Sequence, residues 1–165
     1  MSRPRFRTSL AVRAAAMLLL APLLAACTGP TGEDGLAGTA VVLDDTGRGE
    51  SPIDEGWIIA VPAAAVDDLW STSGNKPIGQ ENLKYMSARV SRDQVTQAGG
   101  VIAPLDEDGE FVLPAKEGSH LLCRLLPAVD GGAEVIRGCG FLTLPASGEL
   151  SITDGEGGFY AEMKD

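Results

Sequence analysis

From Gly38 onward the chain is a succession of short apolar runs broken by Gly, Asp and Pro, and this pattern restricts its fold more than any other feature. Such runs are too short for long helices and suit strands, so the spacing predicts a small, mainly β domain. The expected strands are 39–43, closed by Asp44-Asp45-Thr46-Gly47, and 56–61. After the turn Asp106-Glu107-Asp108-Gly109 come 110–113, 120–126, 135–144, 149–152 and 159–163. The stretch Trp57-Ile58-Ile59-Ala60-Val61 is apolar without alternation, which suggests a strand buried on both faces.

Residues 62–105 have a different texture. Pro62 stands at a helix start, acids follow it, and Val66, Leu69 and Trp70 fall at i, i+3 and i+4. Ser91 and Gln94 occupy capping-box positions, with Val95 and Ala98 behind them. The expectation is an insert carrying two short helices, with residues 71–80 as an exposed loop between them.

The first 27 residues have another purpose. Arg3, Arg5, Arg7 and Arg13 form a positive start, residues 14–26 are uncharged and apolar, and Leu24-Ala25-Ala26-Cys27 closes the run. The apolar stretch is well short of the roughly 20 residues a spanning helix needs, so it suits an export signal. It resembles the lipobox of bacterial lipoproteins. That resemblance implies cleavage before Cys27, a thioether-linked diacylglycerol on Cys27, and a mature chain at the outer face of the bacterial membrane. The alternative is an ordinary secretory signal with a chance cysteine. Residues 28–37 are small, polar and turn-prone, so 27–37 is expected to be a flexible tether and 38–165 the folded domain.

Removing residues 1–26 removes four of the 13 basic residues and none of the 23 acids, which leaves nine against 23 and a charge of −14. Such a balance opposes binding to phosphate backbones and to anionic headgroups. No nucleic-acid partner is expected, and membrane attachment falls to lipid on Cys27. The functional alternative for the acidity is weak, diffuse cation binding. With two Trp, two Tyr and four Phe in the whole chain, Val, Leu and Ala must do most of the packing.

Cys123 and Cys139 remain as an even pair in an oxidising compartment, where a disulfide is the default. The connection 127–132 lies midway between them. A hairpin centred there sets Cys123 opposite Cys139, Leu121 opposite Phe141 and Leu125 opposite Arg137. A redox-active pair is the rival, but Cys-x-x-Cys is absent and no activating base is near in sequence.

Gly38 and Val41 leading to Asp45-Thr46-Gly47, then Asp106 to Leu113, then Gly118-Ser119-His120-Leu121-Leu122, resemble the carboxypeptidase-regulatory, transthyretin-like β-sandwich. Phe111 and Leu113 would take the inward positions of its hairpin, and His120 stands where that family usually has Tyr. The insert is longer than such modules carry, and strand 38–43 has no Lys for an internal isopeptide. The resemblance implies a sandwich of about seven strands serving as a stalk, adhesion or binding module.

Catalytic chemistry is thinly supplied. His120 is the single histidine, which rules out a His-rich metal site. Ser119 beside it would point to the opposite face of a strand and could not pair with it as nucleophile and base. Asp106, Glu107, Asp108 and Glu110 supply clustered oxygens but lack the spacing of a calcium loop, so a tight turn is expected. Asp154-Gly155-Glu156-Gly157-Gly158 has no Lys after it and opens no helix, unlike a phosphate cradle. No catalytic residue, metal or cofactor is expected.

Aromatic side chains on loops can stack on sugars or grip a partner. Trp70, Tyr85 and His120 are therefore the candidate contact residues, although the spacing at Trp57 and Trp70 also suits core packing. The expected function is a lipid-anchored, non-catalytic binding, adhesion or scaffolding module with an envelope protein or glycan partner. The alternatives are a carbohydrate- or substrate-binding lipoprotein and an envelope hydrolase using the insert as a lid.

Overall fold

The computed structural model describes residues 35–44, 49–77, 79–129 and 132–164. The expected signal, Cys27 and most of the tether lie outside the described residues. Among those described, no helix is long and apolar enough to cross a membrane.

The described chain is mainly β and forms a sandwich. In order, it contains β1 (Leu36–Leu43), β2 (Glu50–Pro52), β3 (Trp57–Pro62), a 3₁₀ turn at Ala63–Ala65, α1 (Val66–Thr72), a 3₁₀ segment at Gln80–Tyr85 and β4 (Ser87–Arg89). It continues through α2 (Arg92–Gln97), β5 (Val101–Pro104), β6 (Glu110–Leu113), β7 (Gly118–Leu126), β8 (Val135–Leu144), β9 (Glu149–Asp154) and β10 (Tyr160–Lys164). One sheet runs β10-β9-β1-β2, with β6 also paired to β1; the other runs β4-β8-β7-β3-β5. β1 and β9 are parallel, so the first sheet is mixed. A parallel pair needs a long crossover, and the whole second sheet lies between these two strands in sequence.

Alternation along the central strands explains the double burial of β3. Ile58 and Ala60 face the first sheet and join a core with Leu122, Phe111, Leu113, Leu150, Ile152 and Phe159. Ile59 and Val61 face the other way, into a core with Leu69, Trp70, Val95, Leu121, Cys123 and Cys139. The helical insert is thus a third layer that covers the outer face of the second sheet. Burying a large apolar side chain stabilises by roughly 1.5–3 kcal/mol, so this layer contributes substantially to stability. Leu69 and Trp70 are the buried anchors of this layer.

Two boundaries differ from expectation. Leu36 is buried and Ala37 pairs with Val112, so residues 36 and 37 belong to β1 and not to the tether. The insert also holds strands: β5 pairs with β3 at one edge of the second sheet, and β4 pairs with β8 at the other. The helices themselves match the sequence signals. α2 opens with the full capping box, the Ser91 N–H donating to Gln94 Oε1 at 2.9 Å and the Gln94 N–H to Ser91 Oγ at 3.3 Å.

Cys123 and Cys139 form a disulfide directly across β7 and β8, with their Cα atoms 4.2 Å apart. Leu121 faces Phe141 as expected, but Leu125 faces Ile136 rather than Arg137. The cause is a bulge at Gly138, whose φ of 66° inserts one residue between Cys139 and Arg137. Arg124 then faces Arg137 across the ladder, while its guanidinium reaches Asp154 on β9 at 3.1 Å and ties the two sheets together.

Candidate functional site

The second sheet ends at the short edge strand β4, and the 3₁₀ segment leading into it is held by Leu83, which is buried in the helical-side core. Lys84 and Tyr85 follow that anchor. The Phe159 N–H donates to the Lys84 carbonyl at 2.9 Å, pinning the turn between β9 and β10 onto this segment. Phe159 is buried, and the alternation of β10 turns the next residue, Tyr160, outward.

These contacts bring together residues far apart in sequence. The Lys84 ammonium donates to the Tyr160 hydroxyl at 3.2 Å and lies 4.8 Å from the centre of the Tyr85 ring and 5.3 Å from that of Tyr160. The rings share one cation, whose charge is drawn to their negative faces. The Tyr160 hydroxyl, then that of Tyr85, holds the lysine above its ordinary value of 10.5. Both rings are nonetheless open to solvent, Tyr85 at 59% and Tyr160 at 51%.

Tyr85 also borders a surface cleft of about 380 Å³, within the size range of small-ligand sites. Leu126, Val129 and Val135 supply apolar wall, and Glu55, Ser87 and Arg137 supply polar groups. Together they form a ring-lined, partly charged concavity. That arrangement can bind and orient a ligand. Among the described residues no three His, Cys, Asp or Glu side chains gather closely enough to hold a metal ion.

Of the three candidate contact residues, two need correction. Trp70 is 1% exposed and packs in the helical-side core, so it cannot meet a ligand. His120 is 6% exposed, with Nδ1 held 2.9 Å from the Gly118 carbonyl of its own strand. Its strand position, opposite Pro62 and Leu142, turns it inward. Tyr85 is on the surface at the cleft. Asp106 is occupied as a turn former, accepting from the N–H groups of Asp108 and Glu110 at 3.0 and 2.8 Å. Lys84, Tyr160 and Arg137 were not expected at the site. The alternation of the last strand, which sets 160, 162 and 164 on one exposed face, was the available signal for Tyr160.

No protein-family model matches the chain, and neither does any curated protein. Among solved structures it is similar to a Pseudomonas aeruginosa crystal structure described as "a putative carbohydrate binding protein". The two share 15% identity over 78% of this chain and 92% of that one, with a TM-score of 0.42.

Proposed function

We propose that this protein is a non-catalytic, carbohydrate-binding module of the bacterial cell envelope, carried on lipid at Cys27, with its ligand surface at Tyr85, Tyr160 and the adjoining cleft. The observation that carries this reading is the pair of exposed tyrosine rings braced by Lys84 at the edge of a concavity with a polar rim. An exposed tyrosine ring has an apolar face and a polar hydroxyl, and a pyranose offers apolar C–H faces for the ring and hydroxyls for the polar groups of the cleft. The lipobox pattern supports envelope placement, since two acyl chains at roughly 0.8 kcal/mol per methylene hold firmly where one is marginal.

Isothermal titration of the processed lipoprotein in detergent against neutral and acidic oligosaccharides tests the reading, with Tyr85→Ala and Tyr160→Ala alongside. Binding to at least one sugar that weakens in both variants is expected; no binding to any sugar would sink the carbohydrate reading. Intact mass spectrometry from the native membrane tests the anchor. The expected species starts at Cys27 and carries diacylglycerol, and an unprocessed chain would exclude it.

A further inference from the structure

The cations of this acidic protein are not spread evenly between paired and unpaired states. Arg92 is bound to Glu134 at 2.7 Å, Arg124 to Asp154 at 3.1 Å, and Lys164 to Glu149 at 2.7 Å. Arg137, Arg89 and Lys84 have no carboxylate partner among the described residues, and all three belong to the edge where the cleft lies. Arg137 lines it. Arg89 is exposed on β4 in register with Val135, another lining residue, and on the same side of the strand as Ser87, which faces Arg137. Lys84 touches the Tyr85 ring at its border. The remaining unpaired lysines, Lys76 and Lys116, stand singly on loops.

We infer that the cleft takes an acidic sugar, one whose ring bears a carboxylate or a phosphate, with Tyr85 covering the ring and Arg137 binding the anionic group. This rests on the carbohydrate reading and narrows it. The guanidinium fork matches the two oxygens of a carboxylate or phosphate, and an unpaired, exposed arginine is free to make that bond. Lys84 keeps its charge beside Tyr85, and Arg89 adds a third positive group along the edge. The single acid of the lining, Glu55, is left to accept from sugar hydroxyls. The overall negative charge of the chain does not oppose a short ligand held here, because charges beyond about 10 Å are screened at ordinary ionic strength. It does oppose long polyanions, so the site favours short acidic saccharides over nucleic acid.

The test is titration of the processed lipoprotein in detergent with a galacturonate dimer, glucose 6-phosphate and a neutral glucose dimer, at about 50 and about 300 mM NaCl. At least one of the acidic sugars should bind about tenfold more tightly than the neutral dimer, and high salt should erode that preference. Comparing the galacturonate with the phosphate identifies which anion the arginine takes. Arg137→Gln should abolish the preference with an unchanged thermal midpoint, and Lys84→Gln should reduce it. Equal binding of acidic and neutral sugars that is lost in Tyr85→Ala, or an acidic preference that survives Arg137→Gln, would overturn the inference and leave the carbohydrate reading standing. Binding of no sugar would overturn both.

Discussion

Gly138 presents its Cα to the Cβ of Phe159 so closely that a methyl group on Gly138 would collide with it, and the φ of 66° at Gly138 is one that side chains disfavour. Gly138→Ala should therefore lose about 3 kcal/mol, combining left-handed backbone strain with overpacking of a buried ring. Urea denaturation with an unchanged slope would measure it. Because Phe159 pins the turn before Tyr160, the same variant should loosen the Lys84–Tyr160 bond. Wild-type stability in Gly138→Ala would mean that the bulge and Phe159 are not packed as described.

The disulfide joins two strands that already pair, so its main effect is on the unfolded chain. It closes a loop with a sequence separation of 16, for which the chain-entropy model gives about 3 kcal/mol. The double variant Cys123→Ala/Cys139→Ala should lose about that much in urea. Both sulfurs belong to fully buried residues. A reductant added without denaturant should leave the mass unchanged over a period in which the denatured protein gains two hydrogens.

Trp70 and Tyr85 should separate stability from binding. Trp70→Ala opens a cavity in the helical-side core and should cost about 3–5 kcal/mol. Tyr85→Ala removes an exposed ring and should stay within about 0.5 kcal/mol of wild type. Thermal melts decide this, and the order should reverse when sugar binding is measured. A large stability loss in Tyr85→Ala would make that ring a packing residue.

The Lys84 ammonium is favoured in the folded state by the Tyr160 hydroxyl, then by that of Tyr85. Its folded value is raised, so its contribution to stability is fully present below the ordinary 10.5 and is lost as pH rises through the higher folded value. An NMR titration of the Lys84 side chain should place its midpoint above 10.5, and Tyr160→Phe should bring it back toward that value. A wild-type midpoint at or below 10.5 would contradict the contact.

The parts legible in the sequence were those whose signal is local. β6 and β8 coincide with the expected strands, because each is an apolar or alternating run bounded by turn formers. The Ser91–Gln94 capping box is a short-range hydrogen-bond pattern and formed as read. β2 and β4 are only three residues long, too short to carry a period, and they exist because a neighbouring strand offers its backbone. β5 did carry a signal, Val101-Ile102-Ala103-Pro104 after two glycines, but it lay inside an insert whose stronger periodicity was helical.

The candidate site was mostly not legible. Tyr85 could be singled out as an aromatic residue in an irregular region, and the helical spacing at Trp70 already suited core packing, but only the fold decides that Trp70 and His120 are both buried. The bond from Lys84 to Tyr160 spans 76 residues and depends on Phe159 docking beside Gly138. Likewise, nothing in the order of residues says which arginines will find a carboxylate.

By itself, then, the sequence determined the strand-rich class, the capped helix, the cross-strand cysteine pair and the resemblance of residues 1–27 to a lipobox signal, since each follows from residues close together or from one hairpin's symmetry. Tertiary structure alone decided that the insert is a third layer, that a bulge displaces Arg137 by one position, and that two tyrosines share a lysine beside a cleft. Those features arise where separate elements pack, and there burial and register are set by the partner surface and not by the local run of side chains.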